Sequence, residues 1–212
     1  MIDFYAARTP NGRKIAIMLE ECSASYRTHF IDIVRGEQFE PAFTAINPNA
    51  KIPAIVDSDG KEPVTVFESA AILIYLAEKF GRLMPSEARA RATCMSWTVW
   101  QVANVGPMFG QAHHFTSKAP EKCPHAIERF SSEAVRLLHV MEKRLDEARY
   151  LAGDYSIADI AVFPWIRVAL EPMASARPDL VGETPNIRRW FAEIGARPAV
   201  QRGIGLGSEV RT

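Results

Sequence analysis

The chain has 212 residues and a mass of 23.6 kDa, with 48% hydrophobic and 24% charged residues. This composition is typical of a globular protein that buries its own core, as one large domain or two small ones. Lysine and arginine together number 25, as do aspartate and glutamate, and the pI is near 7.0. Because positive and negative residues balance, the protein has no net charge that would attract nucleic acid or an anionic membrane, so we expect neither partner.

The N-terminus and the cysteines indicate the compartment. The start, MIDFYAART, has no basic region followed by an apolar segment, and no apolar run reaches the length of a membrane span. We therefore expect a cytoplasmic protein. Cys22, Cys94 and Cys123 are widely spaced without a CxxC pair, which argues against a disulfide framework. The cysteines and histidines also lack zinc-ligand spacing, so we expect no metal.

The first part of the chain alternates between strand and helix patterns. Residues 2–5 predict a buried strand, and Thr9-Pro10 predicts a helix start with threonine as the N-cap. Residues 26–33 predict a second strand. A short helix carrying Phe39, Phe43 and Ile46 then leads to two β-branched runs, 54–57 and 64–67, joined by a DSDG turn as an antiparallel hairpin.

Glu68-Ser69 then introduces a helix whose apolar residues recur at helical spacing through Phe80. A strand, helix and strand followed by a hairpin predict a mixed four-stranded sheet with helices on its faces. This order predicts a thioredoxin-like α/β domain over residues 1–80, a linker at 81–86 and an all-α domain over 87–212.

The second part of the chain reads as helix throughout. One long helix is predicted to start at Ser86, to stop or kink at Gly106-Pro107 and to resume over 108–115. Residues 124–148 predict a second. Ser156 and Asp159 form a capping box that starts a third, for which we expect no chemistry. Thr184-Pro185 repeats the signal of an N-cap followed by proline.

A binding edge is predicted where the hairpin meets the following helix. Pro53 belongs at the start of its strand, and a cis bond before it would turn the N–H and C=O of Ile52 outward to pair with an extended peptide. Ser69 at a helix N-terminus suits a carboxylate, and Glu68 suits an ammonium group, so the pair can hold an α-amino acid. The alternative, which spacing alone favours, is an ordinary N-cap.

The motifs KIPAI, FESAAILIYLAEK and YSIADIAVFPW, in this order, resemble those of cytosolic glutathione transferases over nearly the whole chain. ARTPNGRKI, GEQF, WQVANVGPMFGQAHHF and AIERF resemble the narrower bacterial Nu class, whose members are glutathione-dependent disulfide-bond oxidoreductases. The resemblance implies glutathione as co-substrate, a small disulfide or electrophile as second substrate, and a homodimer.

Carried over residue by residue, the resemblance implies a glutathione site. Its members are Thr9, Asn11, Gln38, Ile52 with Pro53, Glu68, Ser69 and Arg129. Glu68 and Ser69 would hold the γ-glutamyl end, while Gln38, with Lys51, would face the glycyl carboxylate. Thr9 and Asn11 would be the catalytic pair that stabilises the thiolate by donating hydrogen bonds, since neither is a general base. Tyr5 is the alternative donor, although its place on the first strand favours packing.

The reaction is open at this point. Because no cysteine lies at the start of the first helix, two glutathione thiols could carry out disulfide exchange. Conjugation of glutathione to an electrophilic carbon is the alternative, and a glutathione-binding protein without turnover is another. Trp100, Met108, Phe109 and Phe115 are candidates for a second-substrate pocket, against the alternative that they are core residues.

Overall fold

The structure, a computed structural model, describes residues 1–176, 178 and 182–206. The chain forms two compact units. One contains residues 1–84 and takes in residues from 196 onward, while the other lies within residues 85–195. The predicted division, in which the helical domain ran to residue 212, does not include this return of the chain to the first unit.

In the described residues the helices are α1 (Pro10–Glu21), α2 (Pro41–Thr44), α3 (Ser69–Phe80), α4 (Ala88–Trp100), α5 (Gly106–Ser117), α6 (Pro124–Glu147), α7 (Ile157–Ala176), α8 (Pro185–Gly195) and α9 (Pro198–Ile204). A 3₁₀ turn covers Glu37–Phe39, and a π-helical segment covers Gln101–Val105. None of the helices in the described residues is long and apolar enough to cross a membrane.

The strands are β1 (Ile2–Ala6), β2 (Tyr26–Phe30), β3 (Ala54–Asp57) and β4 (Val64–Phe67), in the order β2-β1-β3-β4. β1 pairs parallel with β2 and antiparallel with β3, which pairs antiparallel with β4. The predicted mixed sheet of a thioredoxin-like domain is confirmed. β2 ends before the predicted Ile33, where the Asp32 carboxylate accepts hydrogen bonds from the N–H groups of Val34 and Arg35 and turns the chain.

Helix α1 is the centre of the first unit. Its residues from Ile15 to Leu19 have no measurable exposure, because α3 and the C-terminal α9 both pack against it. Gly203 of α9 lies so close to α1 that an added Cβ would be 2.6 Å from the backbone N and Cα of Ile17. Arg197 makes a two-bond ion pair with the buried Glu21, at 2.7 and 3.0 Å. The last described helix therefore completes the core of the first unit.

The helical unit differs from prediction at its helix starts. α4 begins at Ala88 rather than at Ser86, because the Glu87 carboxylate accepts the N–H groups of Arg89 and Ala90 at 2.9 and 2.7 Å. Before Gly106-Pro107 the chain neither stops nor leaves the helix. The π-helical segment joins α4 to α5, and Pro107 lies in the first turn of α5 directly after it.

The capping box of α7 is present with additional bonds. The Ser156 N–H donates to the Asp159 carboxylate at 3.0 Å, while the Ser156 hydroxyl accepts from Ala158 rather than from Asp159. The same carboxylate accepts from the Leu151 N–H and from Trp190 Nε1, at 3.0 and 2.8 Å. Burial raises the pKa of Asp159 to about 6, and these donors oppose the rise. Asp159 thus joins three segments of the helical unit through hydrogen bonds.

Candidate functional site

The ends of three neighbouring strands meet at one edge of the sheet. Tyr5 lies opposite Ala54, and Ala54 lies opposite Phe67. Because both pairs are antiparallel, the end of β1, the start of β3 and the end of β4 adjoin. The segment that leads to α1, the turn before β3 and the start of α3 therefore come together, as the predicted binding edge requires.

The turn before β3 presents an open backbone. The Ile52-Pro53 bond is cis, which confirms the prediction, and Pro53 is buried. Asn47 is 1% exposed; its amide donates to the Lys51 carbonyl at 2.6 Å and accepts from the Asn49 N–H at 2.9 Å. Neither the N–H nor the C=O of Ile52 makes a hydrogen bond within the described residues. Sequence reasoning overlooked Asn47, although Asn-Pro is a common turn signal.

The start of α3 has no side-chain cap. Glu68 holds the N-cap position with φ of 68° and ψ of 119°, and its side chain caps no helix N–H. The Ser69 hydroxyl is buried and accepts a hydrogen bond from Lys14 Nζ at 3.1 Å. The ordinary N-cap that spacing favoured is therefore not formed. The first-turn N–H groups lack a capping side chain, which is the condition for binding a carboxylate there.

Lys14 is the residue of this edge that sequence reasoning did not single out. It lies on α1 four residues before the buried Met18, and it is 1% exposed. Burial lowers the pKa of Lys14 to about 7, while the negative charge of Glu68 opposes the fall. The sequence signal was a lysine in a helical pattern, which is usually assigned to solvent.

The start of α1 combines a cap with an outward donor. Thr9 is the N-cap, and its Oγ1 accepts the Gly12 N–H at 3.2 Å. A hydroxyl that accepts one bond keeps its own hydrogen to donate elsewhere, so the cap leaves a donor for a ligand. Gly12 is required here, because an added Cβ would be 2.3 Å from the Ala7 carbonyl oxygen. Asn11 lies half-buried in the same turn.

Three other predicted residues of the first unit have separate surroundings. Gln38 Nε2 donates to the Ile33 carbonyl at 3.4 Å, and its buried Oε1 has no hydrogen-bond partner in the described part of the chain. Lys51 is exposed beside the Ile52 turn. Tyr5 stacks on His29 at 4.7 Å between ring centroids. This contact holds the ring by packing. Burial and the Asp3 charge raise the pKa of Tyr5, so its hydroxyl keeps its proton.

Two of the three cysteines are poor candidates for a reactive thiolate. Cys22 is 8% exposed at the far end of α1, and burial raises the pKa of its thiol to about 11. Burial also raises the pKa of Cys94, which has no exposed surface. Cys123 is exposed before α6, in the other unit from Thr9. Among the described residues no group of three or more His, Cys, Asp or Glu side chains could hold a metal ion.

A cleft of about 720 Å³ lies on the helical unit. It is lined by Met108, His125, Glu128, Arg129, Phe130, Ser132, Glu133 and Arg136. Arg129 is exposed in this cleft, and its guanidinium group makes no hydrogen bond within the described residues. A hydrogen bond from Arg136 and the charges of Arg136 and Arg129 lower the pKa of Glu133. The cleft is therefore rich in arginine.

The four residues predicted for a second pocket do not form one group. Met108 lines the cleft, and Phe115 stacks on the lining residue Phe130 at 5.5 Å between ring centroids. Phe109 is buried with 3% exposure, and Trp100 packs edge-on against Trp97. Core packing thus accounts for Phe109, while Met108 borders open space.

Comparison with known proteins gives family matches in both parts of the chain. The glutathione S-transferase N-terminal domain matches residues 9–79, and the glutathione S-transferase C-terminal domain matches residues 107–198. The disulfide-bond oxidoreductase YfcG of Escherichia coli K12 is 48% identical over 96% of this chain and 94% of its own. The disulfide-bond oxidoreductase YghU of the same organism is 42% identical over 95% of this chain and 73% of its own.

Solved structures match the whole fold. A glutathione transferase from Burkholderia graminis, with two glutathione molecules bound per subunit, has a TM-score of 0.92 and 41% identity over 99% of this chain and 89% of its own. A glutathione transferase from Pseudomonas putida, with one glutathione disulfide bound per subunit, has a TM-score of 0.91 and 39% identity over 97% of this chain and 91% of its own.

Proposed function

Because the chain belongs to the glutathione transferase family, we propose that it is a glutathione-dependent disulfide-bond oxidoreductase in which glutathione supplies both thiols. Two relatives at 48% and 42% identity carry the name disulfide-bond oxidoreductase. A similar structure with two bound glutathione molecules, and another with glutathione disulfide, support a site that takes both redox forms. The burial of Cys22 and Cys94 argues in the same direction.

The unpaired backbone of Ile52, between an uncapped helix start and the Thr9 cap, is the observation that carries the proposal. Glutathione is a short extended peptide, so its backbone pairs with Ile52 as an added strand. Its γ-glutamyl carboxylate lies at Ser69 and the start of α3, and its ammonium group faces Glu68. The glycyl carboxylate faces Lys51 and Gln38, whose amide must leave the Ile33 carbonyl to donate to it.

The thiol lies at the start of α1. There the Thr9 hydroxyl, the Asn11 amide and the positive end of the helix dipole favour the thiolate. The thiolate attacks one sulfur of the substrate disulfide, which forms a mixed disulfide with glutathione and expels the other sulfur as a thiolate. A second glutathione thiolate then attacks the glutathione sulfur of the mixed disulfide. Glutathione disulfide and two reduced substrate thiols result, with protons taken from the two glutathione thiols.

The proposal also assigns a role to the helical unit. Arg129 binds a carboxylate of the second glutathione, because a guanidinium group without a hydrogen-bonded partner in its own cleft can bind a carboxylate through two parallel bonds. The Nu-class assignment, a cytoplasmic location and a homodimer belong to the same proposal, and they rest on the sequence motifs.

The first experiment removes every protein thiol. In a variant with Cys22, Cys94 and Cys123 changed to alanine, we expect the rate of glutathione-dependent reduction of a model disulfide to stay within about threefold of wild type, because glutathione carries both thiols. Circular dichroism and urea unfolding establish that the variant is folded. Loss of the rate in the folded variant would place a protein cysteine in the reaction, and no rate in wild type would overturn the proposed activity.

The role of Thr9 has a separate test. Thr9→Ala removes both the cap and the donor, whereas Thr9→Ser keeps both groups and is the matched control. We expect Thr9→Ala to raise the pKa of the bound glutathione thiol by about one unit and to lower the rate near neutral pH about tenfold. The ultraviolet absorbance of the bound thiolate, measured against pH, reports that pKa. An unchanged thiol pKa in Thr9→Ala would exclude the hydroxyl as a donor.

A further inference from the structure

The contact between Lys14 and Ser69 crosses from α1 to the start of α3. Lys14 Nζ donates to Ser69 Oγ at 3.1 Å, and both side chains are buried, with exposures of 1% and 5%. A lysine amine is usually kept in water, because burial removes the hydration of its charged form. Lys14 lies behind the Ser69 hydroxyl, at a helix start that has no capping side chain. Through that hydroxyl, Lys14 can act on a ligand that binds at the start of α3.

The protonation state of Lys14 decides what the Ser69 hydroxyl can do. A charged ammonium has only donors, so it fills a lone pair of Ser69 and leaves the hydroxyl hydrogen free to donate to a ligand. A neutral amine has a lone pair of its own, which can accept the same hydrogen and withdraw it from the ligand. Charged Lys14 therefore makes Ser69 a donor toward the start of α3.

We propose that Lys14 is a positioning residue for glutathione, which takes up a proton as the γ-glutamyl carboxylate arrives and so fixes the Ser69 hydroxyl as a donor to that carboxylate. The inference rests on the proposed function, since it requires the carboxylate to lie at the start of α3. The carboxylate brings a negative charge close to Lys14, which favours the ammonium form. In the unliganded protein the amine is close to half-charged at neutral pH, because its pKa is about 7.

Glu68, just before α3, is a charged residue whose negative charge acts on Lys14. The ion pairs of α1 with the C-terminal segment, Glu21 with Arg197 and Glu20 with Arg202, lie about two turns further along α1. The incoming carboxylate adds a further negative charge at the start of α3.

The test measures binding of S-methylglutathione, which keeps both carboxylates but has no thiol to ionise. Calorimetric titrations at pH 8 in buffers of different ionisation enthalpy report the protons taken up per molecule bound. We expect wild type to take up more protons than Lys14→Met, and its affinity to fall as pH rises above 7, whereas the affinity of Lys14→Met changes less. At pH 7 we expect Lys14→Met to bind about tenfold more weakly.

Two further variants make the test specific. Ser69→Ala removes the group through which Lys14 acts, so adding Lys14→Met to Ser69→Ala should weaken binding less than twofold. Lys79→Met removes a lysine from the other end of α3, where it pairs with Asp57 at 2.6 Å, and it should leave proton uptake and affinity within twofold of wild type. A merely structural lysine would give additive losses and no difference in proton uptake.

The outcomes separate this inference from the proposed function. Equal proton uptake by wild type and Lys14→Met, or additive effects with Ser69→Ala, would overturn the role of Lys14 while wild-type binding and disulfide reduction stand. Failure of wild type to bind S-methylglutathione would overturn both. Tighter binding by Lys14→Met would also reject the inference, because a neutral side chain would then serve Ser69 better.

Discussion

Two buried ionisable side chains are held in opposite ways. Asp159 accepts four hydrogen bonds, from Leu151, Trp190 and two groups of Ser156, so its charged form has donors on several sides. Lys14 donates to the neutral hydroxyl of Ser69, and burial lowers its pKa to about 7. A buried amine with a strongly lowered pKa reduces stability wherever the unfolded chain would bind the proton. A protein retains such a group most readily where it has a use.

Lys14 should leave a signature in the pH dependence of stability. Its folded pKa of about 7 lies below the unfolded value of 10.5. Burial of Lys14 therefore costs no stability above pH 10.5, where the amine is neutral in both states, and lowers the free energy of unfolding progressively as pH falls toward 7. Between pH 7 and 8.5 the Lys14 term therefore raises the free energy of unfolding with pH, by at most about 1.4 kcal/mol per unit. Lys14→Met should lack this slope in urea unfolding and should be more stable at pH 7 than wild type.

The control for this prediction is Lys79→Met, which removes a lysine whose pKa is raised by Asp57 and which should keep the wild-type slope. Identical slopes in wild type and Lys14→Met would mean that Lys14 stays charged when buried. That result would also remove the proton uptake proposed for ligand binding.

At the scale of single residues, the sequence predicted those site residues whose role follows from their residue type and their place in a local motif. The position of Pro53 at a strand start followed from its missing N–H. The open backbone of Ile52 was predicted for the case of a cis bond before Pro53, and that bond is cis. Lys14 and Asn47 were not found, because their roles depend on burial that only the packing of α1 and of the turn creates. A lysine in a helical pattern is ordinarily a surface residue.

At the scale of elements, three helices show three ways of starting. α1 uses its own Thr9 as cap. At the start of α8 the Thr184 hydroxyl has no partner within the described residues, and Glu142 of α6 accepts the N–H groups of Asn186 and Ile187, both at 2.9 Å. α3 begins without a capping side chain, as do α6 and α9. What distinguishes α3 is that its uncapped start lies beside the open turn at Ile52.

The crossing of α9 over α1 depends on Gly203. Gly203→Ala should destabilise the protein by about 2 kcal/mol or more, because the new Cβ would lie 2.6 Å from backbone atoms of Ile17, which cannot move without shifting α1. Gly195→Ala is the matched control, since its Cβ would make an ordinary 3.7 Å contact with Phe163. We expect that control to stay within about 1 kcal/mol of wild type.

Chemical denaturation of both variants checks this prediction. A Gly203→Ala variant as stable as Gly195→Ala would show that α9 can move away from α1 at little cost. The helix would then contribute less to the first unit than its burial indicates.

At the scale of the whole molecule, the order of elements could be predicted, but the return of the C-terminal segment to the first unit could not. Strand and helix periodicity give a thioredoxin-like unit followed by helices, because each element carries its own local pattern. The return of residues 196–206 to the first unit depends on contacts such as Arg197 with Glu21, which are separated by 176 residues. No periodicity in a single sequence pairs two positions so far apart.

This return predicts different effects for two truncations. A chain that ends at Gly195 loses α9, exposes the face of α1 at Ile17 and removes Arg197, the ion-pair partner of Glu21. We expect it to unfold at lower urea concentration and to lose S-methylglutathione binding, because α1 carries both Thr9 and Lys14. A chain that ends at Leu206 keeps the whole of α9 and should match wild type in both measurements. α9 packs against α1, and α1 carries the site residues. Full binding by the shorter chain would therefore show that α1 holds its position without α9.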